Sequence, residues 1–225
     1  MKNKIMTADE AVAKIKDGDS IMVGGFMACG TTEILIDALV RKNVRHVTII
    51  CNDAGVPGRG VGKLISNGQV KKLIASHVGL NPEVAQRMNT EVEEDKLECI
   101  LVPQGTLAER VRAGGAGLGG ILTPTGVGTI VAEGKQVINV QGRDYLLEEP
   151  LRADHAFLRG SVTDKFGNTT YNGTTRTFNP MMATAADNVI VGTCEIVEIG
   201  EIDPNHVVTS GIFVDAIVGG EQPWA

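Results

Sequence analysis

A short apolar strand that leads directly into a glycine-rich loop constrains this chain more than any other stretch of its sequence. The run Ile21–Val23 is typical of a buried strand and too short for a helix. The loop over 24–30 begins and ends with glycine, which permits unusual dihedral angles and close approach by a ligand. Thr31 or Thr32 can then cap a helix that begins near Glu33. This order presents backbone N–H groups to an anion, although an ordinary tight turn between strand and helix explains it equally well.

Strands alternate with helices over the first half of the chain. β-branched residues predict a strand at Val47–Cys51, and another is expected at Glu98–Val102. Helices are expected between them at Val61–Ser66 and Pro82–Met88. Such β-α-β units imply right-handed crossovers and parallel strands. The sequence therefore predicts a three-layer α/β fold, an open and mainly parallel sheet with helices on both faces.

The second half of the chain has a different character. Thr123–Thr129 is too rich in glycine and proline for regular structure. The runs Val137–Val140 and Tyr145–Leu147 are expected to pair as a small hairpin. We therefore predict a small β-rich insertion around 120–175. Because the sequence shows no repeat and no linker, we expect one domain over 1–225.

Composition excludes several classes of function. A net charge of −6, scarce aromatic residues and no basic cluster argue against a nucleic-acid partner. The start of the chain turns polar too soon for a signal peptide, and no apolar stretch is long enough for a membrane span. The cysteines have no paired spacing, which predicts neither a metal site nor a disulfide framework: Cys29, Cys51, Cys99 and Cys194. Free thiols fit a reducing cytoplasm, where we expect the protein.

Two glycine patterns resemble nucleotide-binding motifs but fail the test of context. Gly115–Gly120 matches G-x-G-x-x-G, yet a predicted helix precedes it where that motif needs a strand, so dinucleotide binding is not expected. Gly25–Gly30 has the spacing of a P-loop, but Thr31-Thr32 replaces the Lys-Ser/Thr that engages phosphate and magnesium. The four histidines show no ligand spacing and are expected to be structural.

Two amide side chains follow predicted strands directly. Asn52 comes after the strand Val47–Cys51, and Gln104 comes after Glu98–Val102. In open parallel sheets, ligand crevices lie at the carboxyl ends of the strands. Asn52 and Gln104 could therefore donate hydrogen bonds to a substrate carbonyl, or each could simply cap the next turn.

Several longer motifs occur together along the chain: Val23–Phe26 with Gly30, Pro103–Arg110, Gly114–Gly117, Thr123–Thr129, Leu146–Glu149 and Phe178–Pro180. On these motifs the chain resembles the alpha subunits of family I CoA-transferases, of the two-subunit acetate or butyrate–acetoacetate type, over nearly its whole length. Two positions depart from the family pattern. Thr31-Thr32 replaces a frequent Gly-x-Pro, and Leu80 replaces an acidic residue of the succinyl-CoA:3-oxoacid transferases.

The resemblance implies exchange of CoA between a thioester and a free carboxylic acid. In the family, a glutamate of the beta subunit attacks the acyl-CoA and forms a mixed anhydride, then a glutamyl-CoA thioester. The motif that carries this glutamate is absent from the present chain. The implied partners are a beta subunit in an α2β2 or larger assembly, acyl-CoA and short-chain carboxylic acids. Coenzyme A is then a substrate, and no permanently bound cofactor or metal is expected.

The resemblance also implies which residues form the site. Asn52 and Gln104 are expected to make supporting contacts to substrate or oxyanion on the alpha side. The family signature commonly assigned to CoA binding comprises Gly24, Gly25, Phe26, Met27, Ala28, Cys29 and Gly30. The alternative is a small-anion sensor domain or a sugar-phosphate isomerase of the same fold, and a fused DNA-binding helix-turn-helix would favour the sensor.

Overall fold

A parallel sheet organises residues 3–222, the part of the chain that the computed structural model describes. The strands are β1 Ser20–Val23, β2 Val47–Cys51, β3 Val70–Ala75, β4 Glu98–Leu101, β5 Ile121–Thr123, β6 Val137–Val140, β7 Arg143–Glu148, β8 Ala153–Asp164, β9 Thr169–Thr170, β10 Ala186–Val197 and β11 Ala216–Gly219. The helices are α1 Ala8–Val12, α2 Glu33–Lys42, α3 Val61–Ser66, α4 Pro82–Met88, α5 Gln104–Ala116 and α6 Asn179–Met182.

The main sheet has the strand order β11-β10-β8-β1-β2-β3-β4, and every pair of neighbours in that order is parallel. Only β9, which pairs with β8, is antiparallel to its neighbour in this sheet as described. Parallel neighbours bring the carboxyl ends of β1, β2, β3 and β4 to one edge of the sheet. The loops predicted to bind substrate therefore lie along the same edge.

Hydrophobic clusters cover both faces of the main sheet. Ile21 and Val23 of β1 enter one cluster, whereas Met22 enters the other, because successive strand side chains point to opposite faces. The first cluster includes Leu35 of α2 and residues of α1, α3 and α4. The second includes Leu107 of α5 and residues of α6. The predicted three-layer, mainly parallel α/β architecture is confirmed.

Side-chain caps stabilise the first turns of two of the helices. At α1, Glu10 N donates to Thr7 Oγ1 over 3.3 Å and Thr7 N donates to Glu10 Oε2 over 2.9 Å, so a capping box is formed. At α4, Glu83 N donates to Asn81 Oδ1, and Pro82 occupies the first turn. These contacts satisfy N–H groups that a helix cannot satisfy internally.

The small insertion is shorter than predicted. Strands β5, β7 and β6 form a separate antiparallel sheet over 121–148, within the expected range 120–175. Strand β8 lies beyond it and is central in the main sheet, between β1 and β10. The apolar run Ala156–Leu158 predicts part of this strand, but its full length is not evident because its buried polar residues depend on distant partners; His155 Nε2, for example, lies 3.0 Å from Asp19 Oδ2.

Helix α5 also differs from expectation. The predicted helix over 104–113 continues to Ala116, into the glycine run. A Cβ added at Gly114 would lie 2.8 Å from the carbonyl carbon of Leu151, so glycine permits a close approach there rather than ending the helix. Over residues 3–222, no helix combines the length and apolar character needed to cross a membrane.

Candidate active site

Residues 24–30 form a tight hairpin at the carboxyl end of β1. Phe26 N donates to Cys29 O over 2.9 Å, and Cys29 N donates to Phe26 O over 2.8 Å. Between them, Met27 and Ala28 have φ angles of 51° and 63°. Two successive residues with positive φ are typical of a type I′ turn, and residues other than glycine are strained there. Such strain persists only where surrounding contacts fix the backbone.

A buried carboxylate fixes the tip of this hairpin. Met27 N donates to Asp53 Oδ2 over 2.6 Å, and Gly55 N donates to Asp53 Oδ1 over the same distance. Asp53 is only 5% exposed. Hydrogen bonds to an ionised acceptor are shorter and stronger than neutral ones. The hairpin after β1 is thereby joined to the loop that follows β2.

The hairpin exposes apolar side chains rather than backbone donors. Phe26 and Met27 are 42% and 49% exposed. The N–H groups of residues 24, 26, 27, 29 and 31 all donate to acceptors within the chain. These five N–H groups are therefore not available to a phosphate.

The N-terminus of α2 is occupied by a carboxylate of the chain itself. Glu221 Oε2 accepts from Thr32 Oγ1 over 2.7 Å, and Glu221 Oε1 accepts from Glu33 N over 3.3 Å. Glu221 is only 4% exposed, and a negative charge is favourable at this position. The expectation that this helix terminus presents N–H groups to a ligand is wrong, because an internal anion binds them. Thr32 contacts Glu221 with its hydroxyl instead of capping the helix backbone.

The structure brings the two predicted amides together. Gln104 Nε2 donates to Asn52 Oδ1 over 3.0 Å, and Ser76 Oγ donates to the same oxygen over 2.9 Å. Asn52 is 3% exposed, whereas Gln104 is exposed at the first position of α5. Because Asn52 Oδ1 accepts two hydrogen bonds, its orientation is fixed. Asn52 Nδ2 has no acceptor among residues 3–222 and is left as a donor.

The hairpin and the amide pair share an edge of the sheet, but they do not line a common cavity. An open cavity of about 960 Å³ is bordered by Met27 and Cys29 of the hairpin and by Arg159 of β8. A second cavity, of about 460 Å³, lies at the start of α5, beside Pro103 and Thr106. Asn52 and Gln104 line neither of them. In this chain the hairpin therefore borders the larger of these two cavities, whereas the amide pair lies on the same edge of the sheet and borders neither.

Other candidate side chains have structural partners. Arg110 donates to the carbonyl of Glu149 over 2.7 Å and lies 3.6 Å from the buried carboxylate of Glu148. Burial, with the negative charge of Asp53 adding to it, raises the pKa of the Cys51 thiol well above its usual range. This thiol is therefore protonated and unreactive. Over the described residues 3–222, no group of three or more His, Cys, Asp or Glu side chains is placed to hold a metal ion.

The family model for coenzyme A transferases matches residues 5–220. The chain belongs to the coenzyme A transferase family. The match extends across both halves of the chain. Asn179, within the motif Phe178–Pro180, is fully buried and contacts the hairpin at Gly30 O, which was not evident from the sequence.

This CoA-transferase chain has close full-length relatives. It is 50% identical over 222 residues to "Acetate CoA-transferase subunit alpha" of Escherichia coli K12, with 99% of each chain covered. It is 49% identical to "Acetoacetyl-CoA:acetate/butyrate CoA transferase alpha subunit" of Clostridium acetobutylicum, over 97% of this chain and 98% of that one.

Solved structures of the family share the fold of this CoA-transferase chain. An acyl-CoA transferase of Escherichia coli O157:H7, in a thioester complex with CoA, superposes with a TM-score of 0.83 at 24% identity. The superposition covers all of the present chain and half of that longer chain. Glutaconate coenzyme A-transferase of Acidaminococcus fermentans gives the same TM-score at 20% identity, over 97% of this chain and 76% of that one. The expected CoA-transferase-like fold is confirmed.

Proposed function

We propose that this chain is the alpha subunit of an acyl-CoA:carboxylate CoA-transferase that acts on acetate, butyrate or acetoacetate. The observation that carries the proposal is the 50% identity to an acetate CoA-transferase alpha subunit over 99% of both chains. The beta subunit supplies the glutamate nucleophile. No relative named above favours the alternative of an anion sensor or a sugar-phosphate isomerase.

Within this function the amide pair stabilises negative charge on the substrate. Asn52 Nδ2 and the second N–H of Gln104 Nε2 are donors at the carboxyl edge, and Ser76 fixes the orientation of Asn52. A fixed donor needs no reorganisation when charge develops on a carbonyl oxygen, so it lowers the barrier to acyl transfer. Asn52 and Gln104 thus support the reaction while the partner subunit provides the attacking carboxylate.

The hairpin Gly24–Gly30 contacts the less charged part of acyl-CoA. Its exposed surface is made by Phe26 and Met27, and most of its N–H groups are used internally. The α2 terminus, where a phosphate would otherwise bind, holds Glu221. These observations favour contact with pantetheine or acyl atoms over contact with the CoA phosphates.

We further propose that residues 1–225 form one domain and that the chain works in the cytoplasm in an α2β2 or larger complex. Light scattering on the purified complex would give the stoichiometry. Coenzyme A enters this scheme as substrate.

A mixing experiment tests the function. This chain and a candidate beta chain would be purified separately and assayed, alone and together, for CoA exchange between an acyl-CoA and acetate, butyrate or acetoacetate. Exchange is expected only from the mixture. Exchange by this chain alone would contradict the assignment of the nucleophile to the partner, and no exchange with any of the three acids would contradict the proposed function.

Replacing Gln104 by alanine tests the role of the amide pair. Loss of one preorganised donor is expected to lower kcat about 100-fold. Because Gln104 is exposed, assembly with the beta subunit should be unchanged in gel filtration. Gln86→Ala, at an exposed position of α4, is the matched control and should keep full turnover. Failure of Gln104→Ala to assemble would instead assign the residue a structural role.

A further inference from the structure

One buried amide contacts both ends of the signature hairpin. Asn179, at the start of α6, is fully buried. Its Nδ2 donates to Gly30 O over 2.9 Å and to Thr175 O over 2.8 Å. Its Oδ1 accepts from Arg159 N over 3.1 Å. Through these N–H donors and this oxygen acceptor, the side chain joins the hairpin, the 173–175 turn and strand β8.

The same amide occupies the space that glycine leaves at the first hairpin position. A Cβ added at Gly24 would lie 2.5 Å from Asn179 Cγ, and it would overlap Oδ1 still more closely. Gly24 and Gly30 are thus held against one side chain, although they lie at opposite ends of the loop. Thr31 Oγ1 also joins the two ends of the loop, because it donates to Gly24 O over 2.9 Å.

We propose that Asn179 is a positioning residue for CoA transfer, which fixes the hairpin so that Phe26 and Met27 meet the acyl-CoA. The proposal rests on the proposed function, since the hairpin is taken to bind that substrate. Asn179 is itself buried behind the hairpin and acts through it. The positive φ angles of Met27 and Ala28 need such support, because strained backbone persists only where its surroundings determine it.

The chemistry of the site requires an amide. Aspartate has nearly the same shape, but it lacks the two N–H donors and would place negative charge against the carbonyl oxygens of Gly30 and Thr175. Those carbonyls would lose their partner and repel the new group. We therefore expect Asn179→Asp to release the hairpin without changing the volume of the side chain.

The test combines turnover with a local probe of the hairpin. Cys29 is an exposed thiol in the hairpin, with its Sγ 3.0 Å from Thr174 Oγ1, whereas Cys51 is buried with a raised pKa. Alkylation by iodoacetamide in the full chain would be located by peptide mass spectrometry. Asn188→Asp is the matched control, because the Asn188 side chain, at the opposite edge of the sheet, hydrogen-bonds only His155 among residues 3–222.

Asn179→Asp is expected to raise the alkylation rate of Cys29 about tenfold, through local opening of the hairpin. In the complex with the beta subunit, displacement of the hairpin should lower kcat about 100-fold. Asn188→Asp should leave both quantities within about twofold, because Asn188 lies at the opposite edge of the sheet from the hairpin and distant sites act independently. A merely structural role of Asn179 would lower the melting temperature of Asn179→Asp without a selective change at Cys29.

The proposal is overturned if folded Asn179→Asp keeps both the wild-type alkylation rate and the wild-type turnover. If that variant does not fold, Asn179→Ser decides: its hydroxyl retains one hydrogen bond, and it should give intermediate changes in both readouts. Wild-type Cys29 reactivity in Asn179→Ser would then reject the proposal. If the wild-type complex transfers no CoA, the proposed function fails, and the Cys29 rate still decides whether Asn179 fixes the hairpin.

Discussion

Two glycine-rich stretches of this chain use the same residue for different purposes. In the hairpin 24–30, Gly25 and Gly30 have φ angles of 120° and 78°, and buried polar side chains surround the loop. In the run 114–120, Gly114 and Gly115 are ordinary helical residues of α5 that let other segments approach closely. The second stretch has the letters of a dinucleotide motif, yet only the first lies beside the candidate active site. Spacing of glycines alone therefore does not locate a binding loop.

The neighbours of each glycine explain the difference. An added Cβ at Gly24 would meet the side chain of Asn179, which fixes a proposed substrate-binding loop. At Gly114 it would meet the backbone of Leu151, in the segment that connects the small sheet to β8. We infer that substitutions in the first stretch act on turnover and substitutions in the second act on stability.

Gly24→Ala should give the largest effect. The new methyl group displaces Asn179 and with it the hairpin, and a shift of about 1 Å in a positioning element can lower turnover about 100-fold. The measurement is the initial rate of CoA exchange per folded complex, with the folded fraction obtained from circular dichroism. Turnover within about threefold of wild type would contradict the inference that the first stretch acts on turnover, since it would show that the hairpin tolerates displacement.

Gly114→Ala should act on stability instead. Overpacking against the Leu151 carbonyl is expected to lower the free energy of unfolding by about 1–3 kcal/mol. Turnover per folded molecule should stay close to wild type, because α5 begins ten residues earlier, at Gln104. Denaturant titration and initial rates on the same preparation would separate the two quantities. A selective loss of turnover without loss of stability would assign this run to the active site.

Gly117→Ala should give the smallest effect. Gly117 follows α5 with a φ of 69°, and an added Cβ would meet no atom within 4 Å. Only the left-handed backbone is penalised, at a cost of about 1 kcal/mol. Thermal unfolding of Gly114→Ala and Gly117→Ala under the same conditions would show whether steric contact or backbone conformation accounts for more of the lost stability in this run. A larger loss at Gly117 would contradict the role of close packing at Gly114.

Local signals in the sequence were sufficient for much of the fold. The bounds predicted for β2, α3 and α4 agree with the structure at Val47–Cys51, Val61–Ser66 and Pro82–Met88. Each depends on a short apolar pattern or a cap within the element itself. The meeting of Asn52 and Gln104 could also be anticipated, because parallel strands align their carboxyl ends.

What the sequence could not reveal depends on distant partners. Glu221 binds Thr32 across 189 positions, so nothing near α2 indicates that its terminus is already occupied. Asn179 and Gly30 are separated by 149 positions, and the motif around Asn179 gives no sign of its partners. The full length of β8 could not be predicted for the same reason: the apolar run Ala156–Leu158 predicts a strand, but the polar residues around it are buried only through contacts made by the assembled sheet.

The mass of the reaction intermediate tests the central claim most directly. The complex of this chain with its beta subunit would be incubated with acyl-CoA, quenched in acid and analysed as intact chains by mass spectrometry. We expect a covalent CoA adduct on the beta chain and an unchanged mass for this chain, whose hairpin and amides only form a wall of the site. A CoA adduct on this chain would contradict the account.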